Sequence, residues 1–201
     1  MIFKNSTQLN SRDLEQMLRE AVAGWPSDRL RVAVRYSRGA EFSGTCCYTT
    51  NRIYINLGRD NTYPYRLLTH IARPQSNATH WWREAFAIEI AKPSQLVLFV
   101  FLHEFYHYLV KQAGRNVRQK EARCDRFATR VLVDQYGTPV HDSSGRQVAR
   151  SAWDFQDLNN FVAAARKQPK RAARRPTKPR PVKPTEQPSP AAIGQQLLLF
   201  R

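Results

Sequence analysis

The stretch Ser94–Ala113, SQLVLFVFLHEFYHYLVKQA, constrains this chain more than any other. From Leu96 to Leu102 it is apolar without a break, which predicts a helix buried on all sides and running through the middle of a domain. Gly114 stands where helices commonly end. Into this apolar rod the sequence sets His103, Glu104 and His107. Positions i and i+4 share a helical face, so the two imidazoles reach one point. Burying such a pair is costly unless hydrogen bonds or a ligand satisfy it. Glu104 lies about 100° further round, where it can act as a base without itself ligating a metal.

A catalytic zinc takes three protein ligands, so a third donor is needed. A further helix is expected from about Val117 to Tyr136, closed by Gly137, with Cys124, Phe127, Ala128, Val131 and Leu132 as its apolar stripe. Extended backward, that stripe meets Glu121 and Asp125. Two carboxylates on an inward face need compensating charge. A zinc ion held by His103, His107 and Glu121 supplies it, with Asp125 holding the free nitrogen of a ligand histidine. His141 and Cys124 are the other candidates for the third ligand.

The remaining elements follow from periodicity and caps. Asn10 or Ser11 caps a first helix carrying Leu14, Met17, Leu18, Ala21 and Val22, ended by Trp25-Pro26. RLRVAVRYS alternates as a half-buried strand, and FSGTCCYTTNRIYINL reads as two strands around a turn near Thr50-Asn51. A short helix is expected around Tyr65–Ile71, then a polar loop from Arg73 to Thr79 and a strand through Trp82, Phe86, Ile88 and Ile90. Beyond the two long helices come a loop or short hairpin and a last helix packing Phe155, Leu158, Phe161 and Val162. Strands followed by consecutive helices indicate an α+β domain over residues 1–166, with helices on one face of a small, twisted, mainly antiparallel sheet.

His103-Glu104-x-x-His107 followed by Glu121-x-x-Cys124-Asp125 resembles the zincin metallopeptidases of gluzincin type, whose pattern is HExxH, then E-x-x-(small)-(D/N). The resemblance covers roughly residues 94–135. It implies a zincin-like fold, zinc bound by His103, His107 and Glu121, Glu104 as general base, and Asp125 supporting a ligand. An extended substrate would then pair with the strand before the HExxH helix. Tyr106, Tyr108 and His141 are the candidate donors to the oxyanion. FSGTCCYTTNRIYINL is more loosely similar to the G-x-x-x-Y…I-x-(L/I)-N strands of SprT-like peptidases, which include the Spartan-type proteases of DNA–protein crosslinks. Those proteins generally use a later histidine as third ligand, and His141 is the one histidine after His107 here. IrrE-like peptidases, which cleave a DNA-bound repressor, also share HExxH…ExxxD.

Charge suggests the partner. Of a net +16, residues 166–201 supply +9, ten Lys/Arg against Glu186 alone, so residues 1–165 are basic in their own right at +7. Such a balance suits nucleic acid. Residues 167–192 read as a disordered, Pro-rich linker whose Lys170, Arg171, Arg174, Arg175, Lys178, Arg180 and Lys183 contact DNA phosphates without sequence preference. Residues 193–201 end in Gln196-Leu197-Leu198-Leu199-Phe200, which resembles the bacterial sliding-clamp-binding pentapeptide Q-L-x-L-F. The resemblance implies that Gln196, Leu197, Leu199 and Phe200 dock on the clamp, the linker serving as tether.

Three cysteines (Cys46, Cys47, Cys124) make no disulfide framework, and no apolar leader or 18-residue apolar run occurs. The expectation is a cytoplasmic, nucleoid-associated zinc metallopeptidase that acts on protein substrates bound or crosslinked to DNA. A non-catalytic DNA- and clamp-binding adaptor with a structural zinc is the alternative from another class.

Overall fold

A computed structural model describes residues 1–118 and 120–163. The linker and the clamp-like peptide lie outside the described residues. The chain runs β1 (Ile2–Asn5), α1 (Ser11–Ala21), β2 (Arg31–Tyr36), β3 (Phe42–Cys47), β4 (Arg52–Leu57), β5 (Tyr65–Thr69), β6 (Pro74–Ser76), β7 (Trp81–Arg83) and β8 (Phe86–Ile90). Then come α2 (Pro93–Gln112), α3 (Glu121–Tyr136), β9 (Val140–His141), a 3-10 turn at Arg150–Ala152 and α4 (Leu158–Ala163). This is an α+β arrangement of small sheets and four helices.

The first helix begins where its cap predicts. Asn10 Oδ1 accepts from the backbone N–H groups of Arg12 and Asp13, two of the donors a helix start leaves unpaired. It ends at Ala21, ahead of Trp25-Pro26. The β3–β4 hairpin turns through Asn51, which takes a positive φ of 50°, a conformation asparagine tolerates. Ile53, Ile55 and Leu57 are buried along β4.

The strands form three sheets where one small, mainly antiparallel sheet was expected. The largest has the order β1-β2-β4-β3, and both neighbours of β2 run parallel to it; β3 alone is antiparallel, to β4. Two smaller antiparallel sheets stand beside it, β5-β8-β9 and β6-β7. The stretch Tyr65–Ile71 is a strand rather than a helix over Tyr65–Thr69, because pairing with β8 buries Leu67 and Thr69 and turns Arg66 and Leu68 outward. A period of two won over propensity. The polar loop contains β6, which pairs with β7, and the expected Trp82–Ile90 strand is broken into β7 and β8.

α2 supplies the centre. It packs on α3 and on β3 and β4, touches α1, and keeps Leu96 to Leu102 buried, which is why this helix is apolar all round. Truncating one of its aromatic side chains, Phe101 or Phe105, to alanine would cost about 3–5 kcal/mol. It ends as expected, Gly114 following in the left-handed region at φ 71°. α3 starts at Glu121, four residues later than periodicity indicates. Asn116 Oδ1 accepts from the Arg118 backbone N–H, a local turn that holds the chain out of helix. Gly137 closes α3 at φ 62°. The last helix begins at Leu158, later than expected, where Asp157 Oδ1 accepts from the Asn160 N–H, and it is described as far as Ala163. No described helix is long and apolar enough to cross a membrane.

Candidate metal centre

The late start of α3 decides the geometry here, because it puts Glu121 on the first turn, facing the polar turn of α2. Glu121 Oε2 lies 3.1 Å from His103 Nε2, and its Oε1 lies 3.3 Å from His107 Nε2. One carboxylate therefore spans both imidazoles. On the other side of the ring, His103 Nδ1 is 2.8 Å from Asp125 Oδ1, and Asp125 Oδ2 accepts from the His70 backbone N–H at 3.1 Å. Asp125 is thus fixed from two directions.

Charge follows from this packing. Burial works against a charged His103, but the Asp125 and Glu121 carboxylates outweigh it and push its pKa up to about 10. Hydrogen bonding to His103 in turn draws Glu121 down to about 2, against the effect of its burial. Burial lowers the pKa of His107, and the charge of His103 lowers it further. Its Nδ1 is buried with no hydrogen-bond partner among the described residues. The pocket therefore gathers two carboxylates around two imidazoles, an excess of negative charge that suits a cation.

These donors suit a metal ion. Ligand atoms at the corners of a tetrahedron, bonded to an ion at about 2.0–2.1 Å, stand about 3.3–3.4 Å apart. The two Glu121–imidazole separations, 3.1 and 3.3 Å, are of that order, one to each oxygen of the carboxylate. Cys124 is an alternative: donor atoms of His103, His107 and Cys124 all lie within 4.8 Å of one another and form a possible metal-binding group. The two sets share both histidines. Glu121 has the better claim to the third place, since its two oxygens already meet both Nε2 atoms and its side chain is open to solvent. Cys124 is wholly buried, and its thiol is pushed far up by that burial and by the neighbouring carboxylates.

Glu104 lies under β3, beside but not on the face that carries the two imidazoles. A Cβ built on Gly44 would come within 2.5 Å of Glu104 Oε1 and 2.7 Å of its Cγ, so only glycine lets this strand lie over the glutamate. Burial raises the Glu104 pKa, with His103 opposing the rise. β3 pairs with β4 alone among the described residues, so its outer edge is free beside Glu104. The strand before α2 is more enclosed: β8 pairs with β5 along its length and with β9 at Ala87 and Ile88.

Two of the three candidate oxyanion donors are unsuitable. Tyr106 is fully buried and donates its hydroxyl to Leu158 O at 3.0 Å, and Tyr108 is buried as well. His141 lies on β9 opposite Ala87 and lines a cavity with Arg66, Ile88 and Glu89 rather than joining His103 and His107. Tyr48, which follows β3, was not singled out for this role from the sequence. Burial pushes its phenol up to about 12, helped by the nearby Glu104 and Glu121 carboxylates. The glycine four residues before it, Gly44, was the available signal: an isolated glycine in a strand marks a close approach.

No protein family, curated protein or solved structure matches this chain.

Proposed function

We propose that this chain is a zinc metallopeptidase of the zincin type that acts on proteins associated with DNA. One observation carries the reading: the Glu121 carboxylate meets the Nε2 atoms of His103 and His107 at 3.1 and 3.3 Å while Glu104 stands beside them, unligated, under a free strand edge. His103, His107 and Glu121 would hold zinc, which would supply Lewis acidity and an activated water.

The protein's own groups do the rest. Asp125 accepts a hydrogen bond from His103 Nδ1–H, fixing the tautomer that leaves Nε2 free to ligate. An extended peptide adds to the outer edge of β3, which brings its carbonyl alongside Glu104. Glu104 Oε accepts the proton of the attacking water and returns it to the departing amine. Burial makes its carboxylate more basic than usual, as a general base operating near neutral pH requires. Tyr48 offers a neutral O–H toward the developing oxyanion.

Recruitment is assigned to the chain beyond the described residues. The basic linker binds phosphates and Gln196–Phe200 docks on a sliding clamp, which raises the concentration of the domain at DNA. The non-catalytic adaptor has one observation in its favour, the His103, His107, Cys124 group, which suits a closed structural zinc site. It leaves no role for Glu104 or for the glycine that makes room for it. The test is a cleavage assay of the full chain on an unfolded protein and on a protein crosslinked to DNA. Cleavage that DNA enhances and a chelator abolishes is expected; intact substrate in every arm would reject the enzyme.

A further inference from the structure

The β6–β7 ribbon is the part of the molecule that the peptidase reading does not use. Every residue from Arg73 to Trp82 is exposed, including Trp81 at 73% and Trp82 at 45%. Adjacent strand residues point to opposite faces, so the ribbon shows one indole on each side. Trp81 stands opposite Ser76 and Trp82 opposite Gln75, neither of which covers an indole. The ribbon is nevertheless well formed at its tip, where Asn77 Oδ1 accepts from the backbone N–H groups of Thr79 and His80.

Its chemistry is basic as well as aromatic. The segment from His70 to Arg83 carries Arg73, Arg83, His70 and His80 and no acidic residue. At its root, Arg83 Nη1 donates to His70 O at 3.1 Å and Arg73 stacks over the Phe155 ring at 4.2 Å. Buried Arg126 fixes the approach to the ribbon by donating to Ile71 O and Ala72 O. Two uncovered indoles on an acid-free ribbon, on a domain that is itself basic, match a ligand with flat apolar faces and a polyanionic backbone.

We propose that the β6–β7 ribbon is a binding site for single-stranded nucleic acid, with unstacked bases lying on Trp81 and Trp82 and phosphates meeting Arg73 and Arg83. A duplex keeps its bases stacked and offers the indoles no faces, so the ribbon discriminates single from double strands. The basic linker, by contrast, binds either form through phosphates. The root of the ribbon also touches the candidate centre's support, since His70 accepts from Arg83 and donates its backbone N–H to Asp125. Resting on the peptidase reading, the ribbon names the substrate class as proteins attached to exposed single strands. Binding itself requires no catalysis, so the two readings fail separately.

The test measures binding of the full chain to a 20-nucleotide oligothymidylate and to a duplex of equal length, over a salt series. Tryptophan fluorescence reports stacking, because Trp153 is buried, Trp25 packs half-buried against Phe127, and only the two ribbon indoles are exposed. Wild type should favour the single strand, with quenched fluorescence. Trp81→Ala with Trp82→Ala should weaken oligothymidylate binding at least tenfold, leaving duplex binding and the slope of log K against log salt unchanged, since no charge is lost. Trp81→Phe with Trp82→Phe should stay within about threefold of wild type, which separates stacking from a folding defect. Unchanged oligothymidylate affinity in the double alanine variant overturns the proposal. Equal loss on both nucleic acids also overturns it, as does a variant that binds DNA normally but fails to engage a protein substrate.

Discussion

Asp125 Oδ1 lies 2.8 Å from His103 Nδ1, on the far side of the imidazole from the Glu121 carboxylate. This contact turns a histidine into an oriented ligand. It requires α2 and α3 to lie side by side with Asp125 one turn beyond Glu121, which is the reason for the spacing of the two acids. Without the carboxylate, the ring loses the partner that fixes its tautomer.

Asp125→Asn is therefore expected to weaken metal binding about 10- to 100-fold while leaving the fold intact, because the amide oxygen can still accept from the His70 N–H. Competition titration against a chromophoric chelator measures it. An unchanged affinity would show that Asp125 serves only the fold.

The third donor can be separated from its rivals. Glu121→Ala should weaken metal binding far more than His141→Ala, whose side chain lies at the other cavity. Cys124→Ala should retain the metal and lose about 1 kcal/mol or so of stability from a small buried void. If Cys124→Ala strips the metal and Glu121→Ala does not, the site is a His-His-Cys site. Metal content of the three purified variants decides among these.

Gly44→Ala is a sharper probe of the catalytic arrangement. The new methyl would overlap Glu104, so either the glutamate or β3 must move. Proteolysis should fall at least tenfold with the metal retained, and stability by about 1–3 kcal/mol from overpacking. Wild-type turnover in this variant would mean that Glu104 has no positional role.

The closing peptide has its own test. An Ala191–Arg201 peptide should bind a bacterial sliding clamp with a Kd near the micromolar range, roughly −8 kcal/mol, and Leu199→Ala with Phe200→Ala should abolish that binding. Fluorescence anisotropy measures it. Absence of binding at high micromolar concentration removes the clamp from the account.

Much of the candidate centre was legible because helical spacing is local. His103 and His107 declare a shared face with Glu104 a step round from it, and the apolar run before them declares the buried helix that carries them. Asn10 and the two strands around Asn51 were legible for the same reason. What escaped depends on partners distant in sequence. Tyr65–Thr69 is too short for its period to decide between helix and strand, and β8, which settles the matter, lies some twenty residues on. Sheet order is likewise invisible along a chain, so the open edge was assigned to the strand preceding α2, the more enclosed of the two, while β3 pairs with β4 alone among the described residues. Arg126 looks like one more basic residue, yet it is buried with its guanidinium on the Ile71 and Ala72 carbonyls.

The central claim is that Glu104 acts chemically at a metal that it does not hold. The most direct measurement compares zinc content and proteolysis for wild type and Glu104→Gln, purified side by side. The account predicts about one zinc per chain in both proteins, with cleavage in wild type alone. Full proteolysis by Glu104→Gln, or a wild-type chain that takes up no metal, would contradict it.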